Sequence, residues 1–330
     1  MFQVSTSFLH YTPPPETEFS SRSSAKVSGK RVQKIRRKQA RSNSHSTIHP
    51  KIHTIEYNPG MTHQKRPQIL LTNDDSINSP GLWAAAEALS ALGFVHVVAP
   101  RVQQTSMGRA LPRDTDGHIN PQKLVVHGKE WEVYGVGATP AQAVLHGMLE
   151  VMGFAPDLLV SGINYGENLA SGITVSGTVG AALEGASLGI RALAISLQTP
   201  MTEHFDLSDR VDFSAAAWFT RFFAEKLLQK TMPFDVDVLK VDVPSDASPE
   251  TPWVVTRQSR QRYFYAKPQD PSITEGSRNM GYEVRVDPEG LEEDGDLKTV
   301  IIDRKVSVTP ISLDLTSRVD LQDFRRLLEE

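Results

Sequence analysis

The chain has 330 residues, 39% of them apolar, and no cysteine, which excludes disulfides, thiolate metal sites and cysteine nucleophiles. Its longest apolar runs stop at four or five residues, far short of the roughly 18 that a membrane-spanning helix needs. Charge is divided unevenly: residues 1–60 hold 10 Lys or Arg against 3 Asp or Glu, and the remainder holds 25 against 36. An acidic body argues against a nucleic-acid polymer as partner, because that affinity comes from basic residues releasing counterions. A cysteine-free chain without a span is expected to be cytoplasmic.

The leader is rich in Ser, Lys and Arg, with Pro13 to Pro15 and the cluster Lys34, Arg36, Arg37, Lys38, and has no sustained apolar period. It is expected to be a disordered basic segment over 1–66, with Met61 as an alternative start. From Gln68 short apolar runs alternate with helical patterns, the signature of a parallel sheet with crossover helices. Strand one is expected at 68–73. A helix follows, with Ser79 as candidate N-cap, Pro80 at its first position and Leu82, Ala85, Ala86, Leu89 and Leu92 on one face, until Gly93 stops it. A second strand covers 94–99, and the polar stretch 101–109 opens at its carboxyl end. Residues 118–136 suggest a hairpin turning at His127, Gly128 and Lys129.

Thr139 and Pro140 begin a helix to about Met152, and 157–161 is a third core strand, followed by a loop rich in Gly and Asn. A small-residue helix is expected over 177–188, a strand over 190–197, a long helix over 209–230 and a strand over 236–243. Beyond Pro244 the alternation fails. Short strands near 253–257, 261–266, 280–287 and 300–308 and a closing helix at 319–329 suggest a β-rich extension over 246–330, an arm that embraces a second subunit. The expected architecture is therefore α/β: a Rossmann-like, mostly parallel sheet flanked by helices over 67–245, then the oligomerisation extension.

Four segments meet the carboxyl edge of this sheet, where open parallel sheets bind ligands. Asp74 and Asp75 end strand one; as hard oxygen donors they suit Mg²⁺, Mn²⁺ or Ca²⁺, although such a pair also serves as an ordinary turn and cap. Gln103 to Gly108 could add a hydroxyl or be a solvated loop. Asn164 and Asn168 follow the third strand in a stretch whose glycines permit close backbone approach. Ser176, Gly177 and Thr178 open a helix whose free amides make an anion seat, or merely cap it. No Gly-x-x-x-x-Gly-Lys-Ser/Thr loop, dinucleotide fingerprint or Gly-x-Ser-x-Gly elbow is present, and the body histidines from His63 onward form no His-x-x-x-His pair.

Together these segments resemble the SurE family, survival-protein phosphatases that act as 5′-nucleotidases. The similar stretches are Ile69 to Asp75 (ILLTNDD), Val97 to Gly108 (VVAPRVQQTSMG), Ala138 to Val144 (ATPAQAV), Pro156 to Asn168 (PDLLVSGINYGEN), Ser176 to Gly185 (SGTVGAALEG) and Thr256 to Arg260 (TRQSR). The resemblance implies one divalent cation per subunit, Mg²⁺ or Mn²⁺, held by Asp74, Asp75, Thr105 and Asn164, with Ser106 as the alternative hydroxyl. It implies catalysis by Asp74 and Asp75, phosphate binding by Asn73, Asn168, Ser176, Gly177 and Thr178, a nucleoside monophosphate as substrate, and a homodimer or homotetramer. The chain departs from the family pattern at Ser76 and Ala138, where glycine is usual, at Thr105, where serine is usual, and at Gln142 and Ala143, which replace an Asp-Cys pair. A non-catalytic nucleotide-binding or receiver-like regulatory module is the rival expectation.

Overall fold

The computed structural model describes residues 66–204, 207–268 and 281–330, all within the unit Ile55–Glu330. The basic leader and the alternative start at Met61 lie outside the described residues. Strand β1 (Gln68–Thr72) is apolar throughout its centre because both faces are covered: Ile69, Leu70 and Leu71 are fully buried. Helix α1 (Pro80–Leu89) starts at Pro80, and Ser79 holds the N-cap position without a side-chain cap bond. Proline's fixed φ is therefore the local start signal here. Strand β2 (Phe94–Pro100) runs parallel to β1.

Strands β3 (Ile119–Val126) and β4 (Lys129–Val136) pair antiparallel about His127 and Gly128, both at positive φ, the backbone of a two-residue hairpin turn. Helix α2 (Pro140–His146) opens with a capping box between Thr139 and Gln142 and continues as a π-helical turn over Gly147–Met152. Strand β5 (Leu158–Tyr165) runs four residues beyond its expected end, with a register shift between Ser161 and Asn164. Helix α3 (Gly177–Ser187), strand β6 (Ala192–Leu197), helix α4 (Ser214–Gln229) and strand β7 (Val238–Val243) follow. Helix α4 starts later than the apolar pattern suggested.

The C-terminal part contains β8 (Trp253–Val255), β9 (Phe264–Lys267), β10 (Gly281–Val284), α5 (Asp296–Ile301), β11 (Val306–Ile311) and α6 (Leu321–Glu329). Strands β9 and β10 pair with each other, whereas β11 and β8 extend the main sheet. The strand expected at 300–308 begins only at Val306, and its first two residues close helix α5. Val300, Ile301 and Ile302 are β-branched, but the Asp296 carboxylate accepts the Leu297 amide at 2.8 Å, and Leu297 and Val300 bury against Leu169 and Tyr263. Tertiary burial has overridden β propensity.

The nine-stranded sheet has the order β3-β4-β2-β1-β5-β6-β7-β11-β8, parallel from β4 through β7. Helices α1 and α4 pack together over the largest core cluster; α2 and α3 pack together over two smaller ones. The chain winds outward in opposite directions from β1 and β5, so the topological switch point lies between them. Among the described residues no helix is long and apolar enough to cross a membrane.

Candidate active site

Asp74 and Asp75 leave β1 at this switch point, and both are buried, with 5% and 2% of their surface exposed. Asp74 is seated against the amino end of α3. Its Oδ1 accepts the Thr178 hydroxyl at 2.5 Å, and the Gly177 and Thr178 backbone also favours its charged form. Gly177 is required by this approach: a Cβ there would stand 2.7 Å from both Cβ and Oδ2 of Asp74. Ser176 caps α3 by accepting the Val179 amide at 3.1 Å.

Asp75 points toward β5 and the loop after β2. Its Oδ2 accepts the Tyr165 amide at 3.0 Å and its Oδ1 the Gln103 side chain at 3.3 Å. Asn164 precedes Tyr165, and its Nδ2 donates to the Gly166 carbonyl at 2.7 Å, leaving the side-chain carbonyl oxygen as its free end. The Gln104 amide donates to the Asp74 carbonyl at 2.7 Å. The two residues before Thr105 are thus bonded to the two aspartates, while Thr105 and Ser106 are themselves exposed. Arg109 holds the far side of the loop on α3 through the buried Glu184, at 2.6 Å.

Burial raises the Asp74 carboxyl from its ordinary 3.8 to about 6. Burial and then the neighbouring charge of Asp74 push Asp75 well above the usual carboxylate range, against weaker pulls from the Tyr165 amide and the Gln103 side chain. The groups that favour either charged form are neutral donors. Nearby, the Asn73 Nδ2 donates to the Ser76 carbonyl at 3.0 Å, and the Asn73 Oδ1 is buried without a hydrogen-bond partner. Two buried carboxylates, an orphaned amide oxygen and the free oxygen of Asn164 form an oxygen-only donor set, which fits a hard divalent cation.

Ser76, where the sequence pattern called for glycine, has φ 104. A serine held there stores about 1–3 kcal/mol of backbone strain directly after the acidic pair. Asn168 lies elsewhere: its amide donates to Asp242 Oδ1 at 2.7 Å and its Nδ2 to Ser196 at 2.8 Å, over the ends of β6 and β7. Sequence reasoning missed what holds it. Lys240, Asp242 and Asp296 are fully buried, and the Lys240 ammonium donates to both carboxylates and, at 2.9 Å, to the Asn168 carbonyl. Asp296 also accepts the amides of Ala170 and Ser259, at 3.1 and 2.9 Å. Lys and Asp two residues apart on one face of an otherwise apolar strand were the available signal.

A family model described as survival protein SurE matches residues 69–265. The chain belongs to the SurE family. It is 39% identical over 274 residues to the 5′-nucleotidase SurE of Thermococcus gammatolerans, covering 79% of this chain and 96% of that protein. With the 5′-nucleotidase SurE of Archaeoglobus fulgidus it shares 42% over 266 residues, 77% of this chain and 94% of the other. The crystal structure of the SurE protein from Aquifex aeolicus superimposes with a TM-score of 0.61 at 31% identity, covering 79% of this SurE-family chain and all of that one. The expected α/β fold and family membership are both borne out.

Proposed function

We propose that this SurE-family protein is a divalent-metal-dependent 5′-nucleotidase, hydrolysing nucleoside monophosphates to nucleoside and phosphate. One observation carries the reading: two buried carboxylates lie side by side at the end of β1, and one of them, Asp74, is seated against the amino end of α3, the place where a phosphate would bind. Two carboxylates and a phosphate cannot share that end without a cation between them. Asp74, Asp75, Asn164 and the Thr105 or Ser106 hydroxyl are the residues that would hold Mg²⁺ or Mn²⁺. When bound, the cation neutralises phosphoryl charge and makes a bound water more acidic.

The chain's own groups do the rest. The α3 amides with the Ser176 hydroxyl orient the phosphate beside the Asp74–Thr178 contact, and Asn73 borders it. Asp74 or Asp75 accepts a proton from the attacking water, and the nucleoside leaves through its 5′ oxygen, which takes up a proton. The nucleotidase names of the relatives support the same activity. Purified protein with 5′-AMP or 5′-GMP is expected to release phosphate with Mg²⁺ or Mn²⁺ and to stop in chelator; silence with every metal overturns the proposal. Nucleotide binding without release would instead support a regulatory module. Lys240, the buried lysine such a module would need at its acidic pocket, is engaged by Asp242 and Asp296.

The proposal includes a homodimer or homotetramer. No residue of α6 is buried, and its Leu321, Phe324, Leu327 and Leu328 are 49–72% exposed. An amphipathic helix with its apolar stripe uncovered suits burial against a second copy. Light scattering is expected to give a mass of two or four chains, reduced by Phe324→Glu with Leu328→Glu; a wild-type monomer refutes this part.

A further inference from the structure

We infer that the cavity beside the acidic pair reads the nucleobase and selects 6-oxopurine nucleotides, those carrying guanine or hypoxanthine. This rests on the proposed nucleotidase reading and specifies its substrate. The cavity, of about 260 Å³, lies at the carboxyl ends of β2 and β4. In the sheet order β4, β2 and β1 are neighbours, so the cavity lies one to two strand spacings, about 5–10 Å, from the end of β1. That is the span from the phosphate of a nucleotide to its base. Gln104 joins the two places, lining the cavity with its side chain while its backbone amide donates to the Asp74 carbonyl.

The polar lining carries donors for a flat heterocycle with acceptors along one edge. Arg101 gives one N–H to Asp116, and none of its other side-chain donors meets a protein acceptor among the described residues. The Gln104 side-chain amide likewise has no hydrogen-bond partner among them. Val136 and Ala138 supply apolar wall. Asp116 is fixed in turn, its Oδ1 accepting the His118 amide at 2.9 Å. The pair has a made seat: a Cβ on Gly137 would stand 1.7 Å from Asp116 Oδ1 and 2.4 Å from Arg101 Nη2. Any larger residue at 137 would displace both. An exposed Arg–Asp pair usually contributes little to stability, which leaves recognition as the better account of a fork aimed into a cavity.

A guanidinium fork matches the paired O6 and N7 acceptors of a 6-oxopurine, whereas adenine presents an N6 donor beside N7 and is matched by a carboxamide such as that of Gln104; the charged fork makes the stronger hydrogen bonds and decides between them. Arg101 is therefore the specificity residue, and Asp116 the positioning residue that holds its plane. Lysine keeps the charge and loses the fork.

The test compares kcat/KM for 5′-GMP, 5′-IMP, 5′-AMP, 5′-UMP and base-free ribose 5-phosphate, alongside equilibrium Kd values for GMP and AMP, in wild type, Arg101→Gln and Arg101→Lys. Wild type is expected to favour GMP and IMP over AMP. Arg101→Gln is expected to lower the GMP:AMP ratio about tenfold, the low end of what one bidentate base contact discriminates, and Arg101→Lys to lower it as well. Indifference of wild type to the base, or equal losses on GMP, AMP and ribose 5-phosphate in the variants, overturns the base-reading site while leaving the nucleotidase intact. Arg101-dependent preference for GMP in binding, with no phosphate released from any ester, upholds the site and sinks the nucleotidase reading.

Discussion

Asp75→Asn is expected to lower phosphate release by at least about 10³-fold, more than loss of a single neutral transition-state donor, and at the same time to make the metal-free protein more stable at neutral pH. The substitution keeps the acceptor for the Tyr165 amide and gives up only the 3.3 Å contact with Gln103. It removes a charge buried beside another charge, whose repulsion near 4 Å is on the order of 4 kcal/mol at an effective dielectric near 20. The gain depends on pH. Burial raises Asp74 from 3.8 to about 6 and Asp75 well above its ordinary range, so the metal-free fold binds these protons more tightly than the unfolded chain does. Their stabilising contribution is full below about pH 4 and is lost as pH rises through the folded values.

In urea unfolding with chelator, Asp75→Asn should therefore match wild type near pH 4 and exceed it increasingly toward pH 7. Mn²⁺ should raise the wild-type midpoint at pH 7 and leave the variant's nearly unmoved. Full activity in the variant removes Asp75 from the site; a variant less stable than wild type at pH 7 contradicts the burial argument.

Gly177→Ala is expected to lower activity about 100-fold, the size of effect that a displacement near 1 Å produces at a reacting centre. The added methyl would meet Asp74 at Cβ and Oδ2, both at 2.7 Å. Asp74 has little freedom to yield, since Thr178 holds its carboxylate and Gln104 its carbonyl. Overpacking at such a contact costs about 1–3 kcal/mol, so a lower melting temperature should accompany the loss. A folded Gly177→Ala protein with undiminished turnover shows that the seat of Asp74 against α3 is immaterial to catalysis.

Much of the site was legible because its residues adjoin strand ends. Asp74 and Asp75 end an apolar run, and Ser176 to Thr178 open a small-residue helix; both patterns are local, and the fold brings Asp74 into contact with Thr178. The departure at Ser76, where glycine is usual, falls on a turn that takes positive φ with serine in place. Less legible was the region beyond Pro244. A β-branched run at 300–302 suggested a strand, but the burial of Leu297 and Val300 beneath Tyr263 made its first part helical. Asn168 was expected at the phosphate, and the structure holds it through Ser196, Asp242 and Lys240.

By itself the sequence determined the alternation of strands and helices, the acidic pair at the end of β1 and membership of the SurE family, since each is carried by periodicity or by contiguous motifs. Tertiary structure alone decided that β1 and β5 flank the switch point, that Asp75 meets the Tyr165 amide, and that Arg101 and Asp116 share a cavity over Gly137. It also decided that Lys240 and Asp242 are joined by Asp296 from a distant helix. These contacts link residues 15 to 90 positions apart. Their energies come from burial and from charge held away from water, neither of which any local window of sequence records.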